Sequence, residues 1–517
     1  MPPHTPSAFW RRRRTAALGV CAVLVATLAS GCSQVTDRIT GSTPTPEPTL
    51  EVPTGAEPLA DFYQQRLDWV DCGPGDCAEL QVPLNYDDPD GEVIEISLLR
   101  VPAREGRNRI GSLVVNPGGP GGSGVDYAAA ADHIVGPQVR GRYDIVGFDP
   151  RGVGRSAPID CVSDAEMDIH LGFIEVPDDR SDEELAEEFA QGCALTSGPI
   201  ASHVSTVDAA KDMDVLRAAL GEEKLTFLGK SYGTYLGAVF AEQFPDRVGR
   251  FVLDGGLPPD LTSDDITVGQ AAGFERATRA WAQDCLDAGC PLGEDVESVM
   301  TGMAAFLDSV DEEPIAVRAD ARVTELGSGG AFLGVVAAMY DQGRWAFLAE
   351  ALGDAIEDRD GTALQDLANH YAQRTSAGVY AGNLIEANAA INCLDRRTDG
   401  VTDELRSRAA EAAPLWGPIF TEEDVTLCSY WPAEVGGGGP RQIEAAGRDP
   451  IVVVGTTRDP ATPYEWSEQL AEQLASGVLV TFDGDGHTAY GRSNDCIDRA
   501  IDAFFIDGTV PEDGLRC

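Results

Sequence analysis

The sequence predicts an α/β fold with a mostly parallel sheet that a large helical insertion interrupts. Short apolar, β-branched runs alternate with helical patterns in the first half of the chain and again near its end. Such alternation is typical of parallel sheets. Between residues 258 and 440 the alternation stops and helical patterns dominate. The 517 residues are 43% apolar, which is enough for a large buried core.

The periodicity of apolar residues places the individual elements. Strands are predicted over 112–115, 144–148, 225–228, 250–253, 451–454 and 478–482. Helices are predicted over 207–220, 272–288, 334–358, 361–374 and 402–412. In sheets of this kind the chemistry lies at the carboxyl ends of the strands, so functional residues are expected directly after them.

The charge of the chain excludes one class of partner. There are 85 acidic and 38 basic residues, and the formal net charge is −47. A surface this acidic repels polyphosphates, so no nucleic-acid partner is expected. No stretch beyond the N-terminal region is long and apolar enough to cross a bilayer.

The first 58 residues are predicted to be an export signal followed by a tether. Four arginines at 11–14 precede an apolar stretch that ends at Cys32, which predicts a signal peptide over 1–31. Residues 28–32 resemble a bacterial lipobox, so Cys32 is expected to carry the lipid of a membrane-anchored lipoprotein; secretion without a lipid is the alternative. Residues 32–58 are rich in Pro and Thr and predict an extended tether.

The remaining chain divides into one core and one insertion. We expect the core to consist of residues 59–257 and 441–517. Residues 258–440 would form a helical cap over the active edge of the sheet, and the glycine-rich run at 436–440 would be a flexible joint.

The cysteines support an oxidising compartment. Of twelve, Cys21 lies in the predicted signal peptide and Cys32 is the predicted lipidation site; an even ten remain, which predicts disulfides. A metal site is the alternative, but none of these cysteines has a histidine at ligand spacing, so neither metal nor cofactor is predicted. Pairing of neighbours gives Cys72–Cys77, Cys161–Cys193, Cys285–Cys290, Cys393–Cys428 and Cys496–Cys517.

The clearest chemical motif is Gly-Lys-Ser-Tyr-Gly at 229–233. It has the pattern G-x-S-x-G, and it lies between a predicted strand and a helical pattern, the context in which this motif presents a nucleophilic serine. Ser231 is the predicted nucleophile. A phosphate-binding P-loop would need glycine at position 224, which is Lys224, so that interpretation fails.

A serine nucleophile needs a base and an acid, which follow it in the chain in this type of fold. His487, in a Gly-Asp-Gly-His turn after the last predicted strand, is the expected base. Asp459, after the strand at 451–454, is the expected acid, which would orient the imidazole. Asp254, at the end of the preceding strand, is the alternative acid.

A glycine-rich loop at 116–124 follows the first strand of the alternating region and predicts an oxyanion hole. Its backbone N–H groups would bind the carbonyl oxygen of the substrate. Gly119 is the predicted first donor, with Gly118 a close alternative, and the N–H of Tyr232 is the predicted second donor. No dinucleotide-binding glycine pattern opens a helix here.

Together these segments resemble the exported actinobacterial tripeptidyl aminopeptidases, which are α/β-hydrolase serine peptidases related to prolyl aminopeptidase. The resemblance covers residues 67 to 517. Pro117 stands where prolyl aminopeptidases have a histidine. The motifs on which the resemblance rests are at 116–124, 148–156, 229–233, 391–395, 459–463 and 486–487.

The resemblance implies an α/β-hydrolase fold with an eight-stranded sheet and a helical cap. It further implies peptide substrates, which are cleaved near a free N-terminus. Asp395, and less directly Glu386, are implied as carboxylates that bind the substrate's amine. A carboxylesterase or lipase on the same triad is the alternative function, and a non-enzymatic receptor on an inactive hydrolase fold is a third.

Overall fold

The computed structural model describes residue 52 and residues 57–176, 180–396, 398, 400–422, 427–431, 439–447 and 449–517. The predicted signal peptide, Cys32, most of the tether and residues 436–438 of the predicted joint lie outside the described residues. All described residues belong to the compact unit Thr49–Cys517.

Ten strands form one sheet and two form a small hairpin. The strands are β1 (Val70–Asp71), β2 (Asp76–Pro83), β3 (Val93–Val101), β4 (Gly111–Asn116), β5 (Tyr143–Phe148), β6 (Leu225–Lys230), β7 (Val248–Asp254), β8 (Ile315–Ala316), β9 (Glu325–Leu326), β10 (Ile451–Arg458), β11 (Gly477–Asp485) and β12 (Leu515–Arg516).

The large sheet has the order β1-β2-β3-β5-β4-β6-β7-β10-β11-β12. From β5 to β12 all neighbours are parallel, and the three pairings at the β1 edge are antiparallel. Without the two-residue strands β1 and β12, the sheet has the eight strands that the family resemblance implied. All six strands predicted from apolar runs are present. The strands β2 and β3 were not predicted, because they form an antiparallel hairpin ahead of the alternating region.

Helices cover both faces of the sheet and fill the insertion. They are α1 (Ala60–Tyr63), α2 (Gly124–Ala129), α3 (Ala131–Ile134), α4 (Pro137–Arg142), α5 (Asp164–His170), α6 (Asp182–Ser197), α7 (Thr206–Ala219), α8 (Tyr232–Gln243), α9 (Ser263–Ala288), α10 (Val296–Glu312), α11 (Ser328–Met339), α12 (Trp345–Glu357), α13 (Thr362–Tyr371), α14 (Leu384–Asp395), α15 (Asp403–Ala412), α16 (Trp416–Phe420), α17 (Tyr464–Gln473) and α18 (Asp495–Asp507).

The insertion comprises α9 to α16, between β7 and β10, and most of it packs around its own apolar core. That core contains the fully buried indoles of Trp281 and Trp416. Two further apolar clusters lie on the two faces of the main sheet. A helical insertion on a mostly parallel sheet is the architecture that the sequence predicted.

One predicted helix is divided in the structure. The sequence predicts a single helix over 334–358, but α11 ends at Met339 and α12 begins at Trp345. Between them Asp341 accepts a hydrogen bond from the N–H of Gly343 at 3.0 Å, which closes a short turn of 3₁₀ helix. An aspartate that bonds the backbone two residues ahead competes with helix formation, and this contact breaks the helix.

Five disulfides join the ten cysteines in the pairs that the sequence predicted: Cys72–Cys77, Cys161–Cys193, Cys285–Cys290, Cys393–Cys428 and Cys496–Cys517. Among the described residues, none of the helices has the length and hydropathy needed to span a membrane.

Candidate active site

Ser231 occupies a sharp turn between β6 and α8. Its φ is 56° and its ψ is −125°, a conformation that costs energy for any residue with a Cβ. A Cβ at Gly229 would lie 2.3 Å from the carbonyl oxygen of Gly233, and a Cβ at Gly233 would lie 2.8 Å from Oδ1 of Asn116. Gly229 is therefore required for the close approach of β6 and α8 at this turn, and Gly233 is required for the close approach of α8 to the end of β4.

The glycine-rich loop lies directly against Ser231. A Cβ built on Gly118 would be 2.8 Å from the Cβ of Ser231 and 3.2 Å from the backbone nitrogen of Tyr232. The N–H of Gly118 donates to Oδ1 of Asn116 at 3.0 Å. Gly119 is exposed, and within the described residues its N–H has no acceptor. Tyr232 is the first residue of α8, where N–H groups lack an acceptor within the helix.

His487 and Asp459 form a close pair after the last two long strands. Nδ1 of His487 lies 2.8 Å from Oδ1 and 3.0 Å from Oδ2 of Asp459. His487 is 7% exposed and Asp459 is completely buried. The Nε2 atom of His487 is buried and has no hydrogen-bond partner among the described residues. One ring nitrogen is thus held by a carboxylate while the other is free to exchange a proton.

The carboxylate of Asp459 is held by its own loop. Oδ1 accepts the N–H groups of Ala461 and Thr462, each at 2.9 Å. Oδ2 accepts the N–H of Thr488 at 3.1 Å and the hydroxyl of Thr462 at 3.2 Å. These donors stabilise the negative charge that would in turn stabilise a protonated imidazole.

Thr462 is a site residue that the sequence analysis did not single out. Its hydroxyl oxygen lies 3.4 Å from Nδ1 of His487 as well as 3.2 Å from Asp459. The sequence offered a signal, because Thr462 lies three residues after the predicted acid.

Tyr340, from the insertion, also contacts the histidine. Its carbonyl oxygen accepts the N–H of His487 at 2.9 Å. The two rings meet edge to face, with centroids 5.2 Å apart. Because Tyr340 lies where α11 ends, its carbonyl is not used by the helix and can accept this bond.

The alternative acid, Asp254, faces a different set of donors. Its carboxylate accepts the N–H groups of Ala489 and Tyr490 at 2.9 Å each, and no bond from it to His487 is present among the described residues. The geometry favours Asp459 as the partner of the imidazole.

The two acids that the resemblance implied for amine binding both lie on α14, but their carboxylates are engaged. Asp395 is buried and accepts the N–H of Thr206 at 2.9 Å; burial raises its pKa to about 6. Glu386 accepts the N–H of Cys161 at 2.7 Å. Burial raises the pKa of Glu386 to about 7. The structure thus brings Gly118, Ser231 and Tyr232 together and pairs His487 with Asp459. Gly119 follows Gly118 in the same loop, whereas the carboxylates of Asp395 and Glu386 bind other parts of the protein.

Family models match two parts of the chain. Residues 111–304 match the model described as "alpha/beta hydrolase fold", and residues 413–517 match the one described as "TAP-like protein". The class of the protein is therefore that of the α/β hydrolases, which agrees with the observed sheet and insertion.

Curated relatives narrow this class. "Serine protease Hip1" of Mycobacterium tuberculosis is 39% identical over 480 residues, 88% of this chain and 91% of the relative. "Carboxylesterase B" of the same species is 33% identical and covers 99% of both chains. "Tripeptidyl aminopeptidase" of Streptomyces lividans is 32% identical over 87% of this chain and 86% of the relative. The chain belongs to the tripeptidyl aminopeptidase family of serine peptidases and is an enzyme, a serine hydrolase.

Proposed function

We propose that the protein is an exported serine exopeptidase that removes short peptides, tripeptides in particular, from free N-termini. The observation that supports it most is the pair of His487 and Asp459, with Nε2 of the imidazole buried and unpaired. Membership of a family of serine peptidases, one of whose relatives is named a tripeptidyl aminopeptidase, supports the choice of substrate.

In this proposal Oγ of Ser231 attacks the carbonyl carbon of the scissile peptide bond. His487 takes the hydroxyl proton at Nε2 and returns it to the leaving amine as the C–N bond breaks, which leaves an ester on Ser231. Water then attacks this acyl-enzyme, with His487 again as the base. Asp459 holds the imidazole in the tautomer that has its proton on Nδ1 and stabilises the imidazolium as it forms.

The oxyanion of each tetrahedral intermediate would bind between two backbone N–H groups. We propose Gly119 and Tyr232 as the donors. Gly119 is favoured over Gly118 because the N–H of Gly118 already donates to Asn116. Losing one such donor typically lowers the rate about 100- to 1000-fold.

We further propose that export is directed by the signal sequence at 1–31 and that a lipid on Cys32 anchors the enzyme through the tether at 32–58. Residues 59–257 and 441–517 would be the catalytic core and 258–440 its cap. Mass spectrometry of the mature N-terminus tests this. A mature chain that begins at a residue other than Cys32, without a lipid, contradicts the anchor and leaves the peptidase proposal intact.

The nucleophile is tested by Ser231→Ala. We expect turnover of a tripeptide anilide and labelling by a fluorophosphonate to be abolished, while circular dichroism and the Tm remain those of the folded protein. Ser407→Ala, which changes an exposed serine on α15 of the insertion, is the matched control and keeps labelling of Ser231. Hydrolysis by Ser231→Ala at the rate of the wild type would overturn the mechanism.

The alternative of a carboxylesterase is kept because one relative over the full length of the chain is named Carboxylesterase B. A tripeptide anilide, its N-acetylated form and a simple aryl ester separate the two functions. We expect N-acetylation to reduce kcat/KM strongly, because an exopeptidase binds the free ammonium group. Equal rates with and without the acetyl group, together with faster cleavage of the ester, would establish the esterase.

The same substrates test the proposed amine-binding role of α14. This helix borders the catalytic loop, since a Cβ on Gly119 would lie 3.4 Å from Cδ1 of Leu384. If Asp395 or Glu386 binds the ammonium group, Asp395→Asn or Glu386→Gln raises KM for the free tripeptide and not for the acetylated one. A loss that is equal for both substrates assigns the two carboxylates to the fold.

A further inference from the structure

Two charged residues that the proposed triad does not use lie beside it. Lys230 ends β6 immediately before Ser231, and Asp254 ends the adjacent strand β7. Lys230 is 8% exposed and Asp254 is completely buried. Nζ of Lys230 lies 3.4 Å from Oδ2 of Asp254. Because burying an ion pair costs much of what the attraction gains, stability alone is a weak reason for a pair in this position.

The turn that follows His487 has an unfavourable backbone. Thr488 has a φ of 65°, a region that a β-branched residue rarely adopts. Such a conformation persists only where neighbouring groups hold it. A catalytic histidine on this turn therefore depends on the contacts of the turn for its position.

The pair supplies these contacts. Asp254 accepts the N–H of Ala489 through Oδ1 at 2.9 Å and the N–H of Tyr490 through Oδ2 at 2.9 Å. Lys230 donates from Nζ to the carbonyl oxygen of Tyr490 at 2.6 Å. Asp254 thus accepts the two backbone N–H groups that follow Thr488, and Lys230 donates to a backbone carbonyl oxygen of the same segment.

The same two residues also hold the nucleophile. The N–H of Ser231 donates to the backbone carbonyl of Asp254 at 2.9 Å, and Lys230 is joined to Ser231 by a peptide bond. The main chain of the pair fixes the serine, and its side chains fix the turn of the histidine. A short, rigid connection therefore runs from one catalytic residue to the other through Lys230 and Asp254.

We propose that Lys230 and Asp254 are positioning residues that set the distance between Ser231 and His487. This inference rests on the proposed catalytic roles of these two residues. Neither member of the pair touches the substrate. Both carboxylate oxygens of Asp254 accept N–H groups, and the Lys230 ammonium beside them compensates for the burial of the carboxylate.

The test compares Lys230→Met and Asp254→Asn with the wild type on the best substrate of the enzyme. We expect kcat to fall by about 100-fold in each, the size of loss that a misplacement of about 1 Å can cause. KM should change little, because the substrate-binding surface is intact. The kcat of the double variant should be no lower than that of the less active single variant, since either change breaks the same connection.

A matched control separates positioning from general destabilisation. Asp214 is equally buried and pairs with Arg217 at 2.6 Å, but it lies on α7 and makes no contact with the turn of His487. Asp214→Asn should lower the Tm and leave kcat at the wild-type value. The low-field NMR signal of the Nδ1 proton between His487 and Asp459 should broaden in Lys230→Met and stay sharp in Asp214→Asn.

Two results would overturn the inference: a wild-type kcat in folded Asp254→Asn, or losses of activity in all three variants that follow their Tm values. An additive loss in the double variant would show that the residues act separately. If Ser231→Ala is inactive while Asp254→Asn equals the wild type, the positioning role fails and the proposed function stands. If Ser231→Ala remains active, the proposed function itself fails.

Discussion

At the scale of single residues, the close approach of Gly118 to Ser231 leads to a prediction. Gly118 has a φ of 97°, and an added Cβ would lie 2.5 Å from the carbonyl oxygen of Lys230. Gly118→Ala is therefore expected to cost stability through both the φ, about 1–2 kcal/mol, and the displacement of the nucleophile turn. We expect a lower free energy of unfolding in urea and slower labelling of Ser231 by a fluorophosphonate.

Gly73 is the matched control for this substitution. Its φ is 108°, but a Cβ there would have no atom within 4 Å. Gly73→Ala should show the cost of the backbone conformation alone, with labelling at the wild-type rate. Equal effects of the two substitutions on labelling would contradict the view that the loop is fitted against the nucleophile.

Residue chemistry also separates what the sequence could predict from what it could not. The placement of Ser231, His487 and Asp459 at one edge of the sheet was predictable, because each follows a strand and the carboxyl ends of parallel strands meet at one edge. The choice between Gly118 and Gly119 depends on whether the side chain of Asn116 accepts an N–H, which is a matter of loop geometry. The roles of Lys230 and Asp254 depend in the same way on where a strained turn folds back.

At the scale of elements, the break between α11 and α12 joins the insertion to the catalytic edge. Arg492 strengthens this junction, because it donates to the carbonyl oxygens of His487 at 3.0 Å and Tyr340 at 3.2 Å and pairs with Asp341 at 3.2 Å. The turn between α11 and α12 thus binds the insertion to the loop of the proposed base.

Removing the contacts of Arg492 is expected to affect catalysis more than folding. Arg492→Met loses three contacts that are partly exposed to solvent, so we expect a loss of about 1 kcal/mol in stability. The kcat should fall by more than the small loss of stability explains. Hydrogen exchange should rise at residues 340–344 and 487–490.

Arg499→Met is the control for the loss of an arginine, since within the described part of the chain Arg499 forms just one ion pair, an exposed one with Asp495 on α18. It should leave kcat and exchange unchanged. An unchanged kcat in Arg492→Met as well would mean that the insertion does not influence the position of His487.

The elements also show the limit of periodicity as a predictor. An apolar pattern at helical spacing runs through 334–358, and it correctly marks both α11 and α12. It cannot report the break, because the cause is one local bond from the side chain of Asp341 to Gly343. The antiparallel strands β2 and β3 were missed for a related reason, since a prediction based on strand–helix alternation does not look for a hairpin.

At the scale of the whole molecule, a strongly acidic chain buries some of its carboxylates, and two of these lie on α14. Of the 85 acidic residues, α14 carries two whose pKa values burial raises, Asp395 and Glu386. Because this helix borders the glycine loop, protonation there couples the stability of the fold to the neighbourhood of the nucleophile. The pH dependence of folding should therefore reveal these groups among many ordinary surface acids.

Glu386 provides a test of this coupling. Its pKa is raised from 4.5 to about 7, first by burial and also by the charges of Asp160 and Asp164, against the lowering effect of the N–H groups of Cys161 and Val162. The folded state therefore holds a proton that the unfolded chain releases more readily. The resulting stability is complete below about pH 4.5 and is lost as the pH rises through 7.

The expected loss from this group is about 2–3 kcal/mol across that range, at about 1.4 kcal/mol for each unit of pKa. Urea unfolding of Glu386→Gln, measured from pH 4.5 to pH 7.5, should therefore gain on the wild type by this amount as the pH rises, because the amide does not ionise. Glu468→Gln, on the exposed side of α17, should keep a constant difference from the wild type. A difference between Glu386→Gln and the wild type that does not change with pH would mean that Glu386 ionises in the folded protein as it does in the unfolded chain.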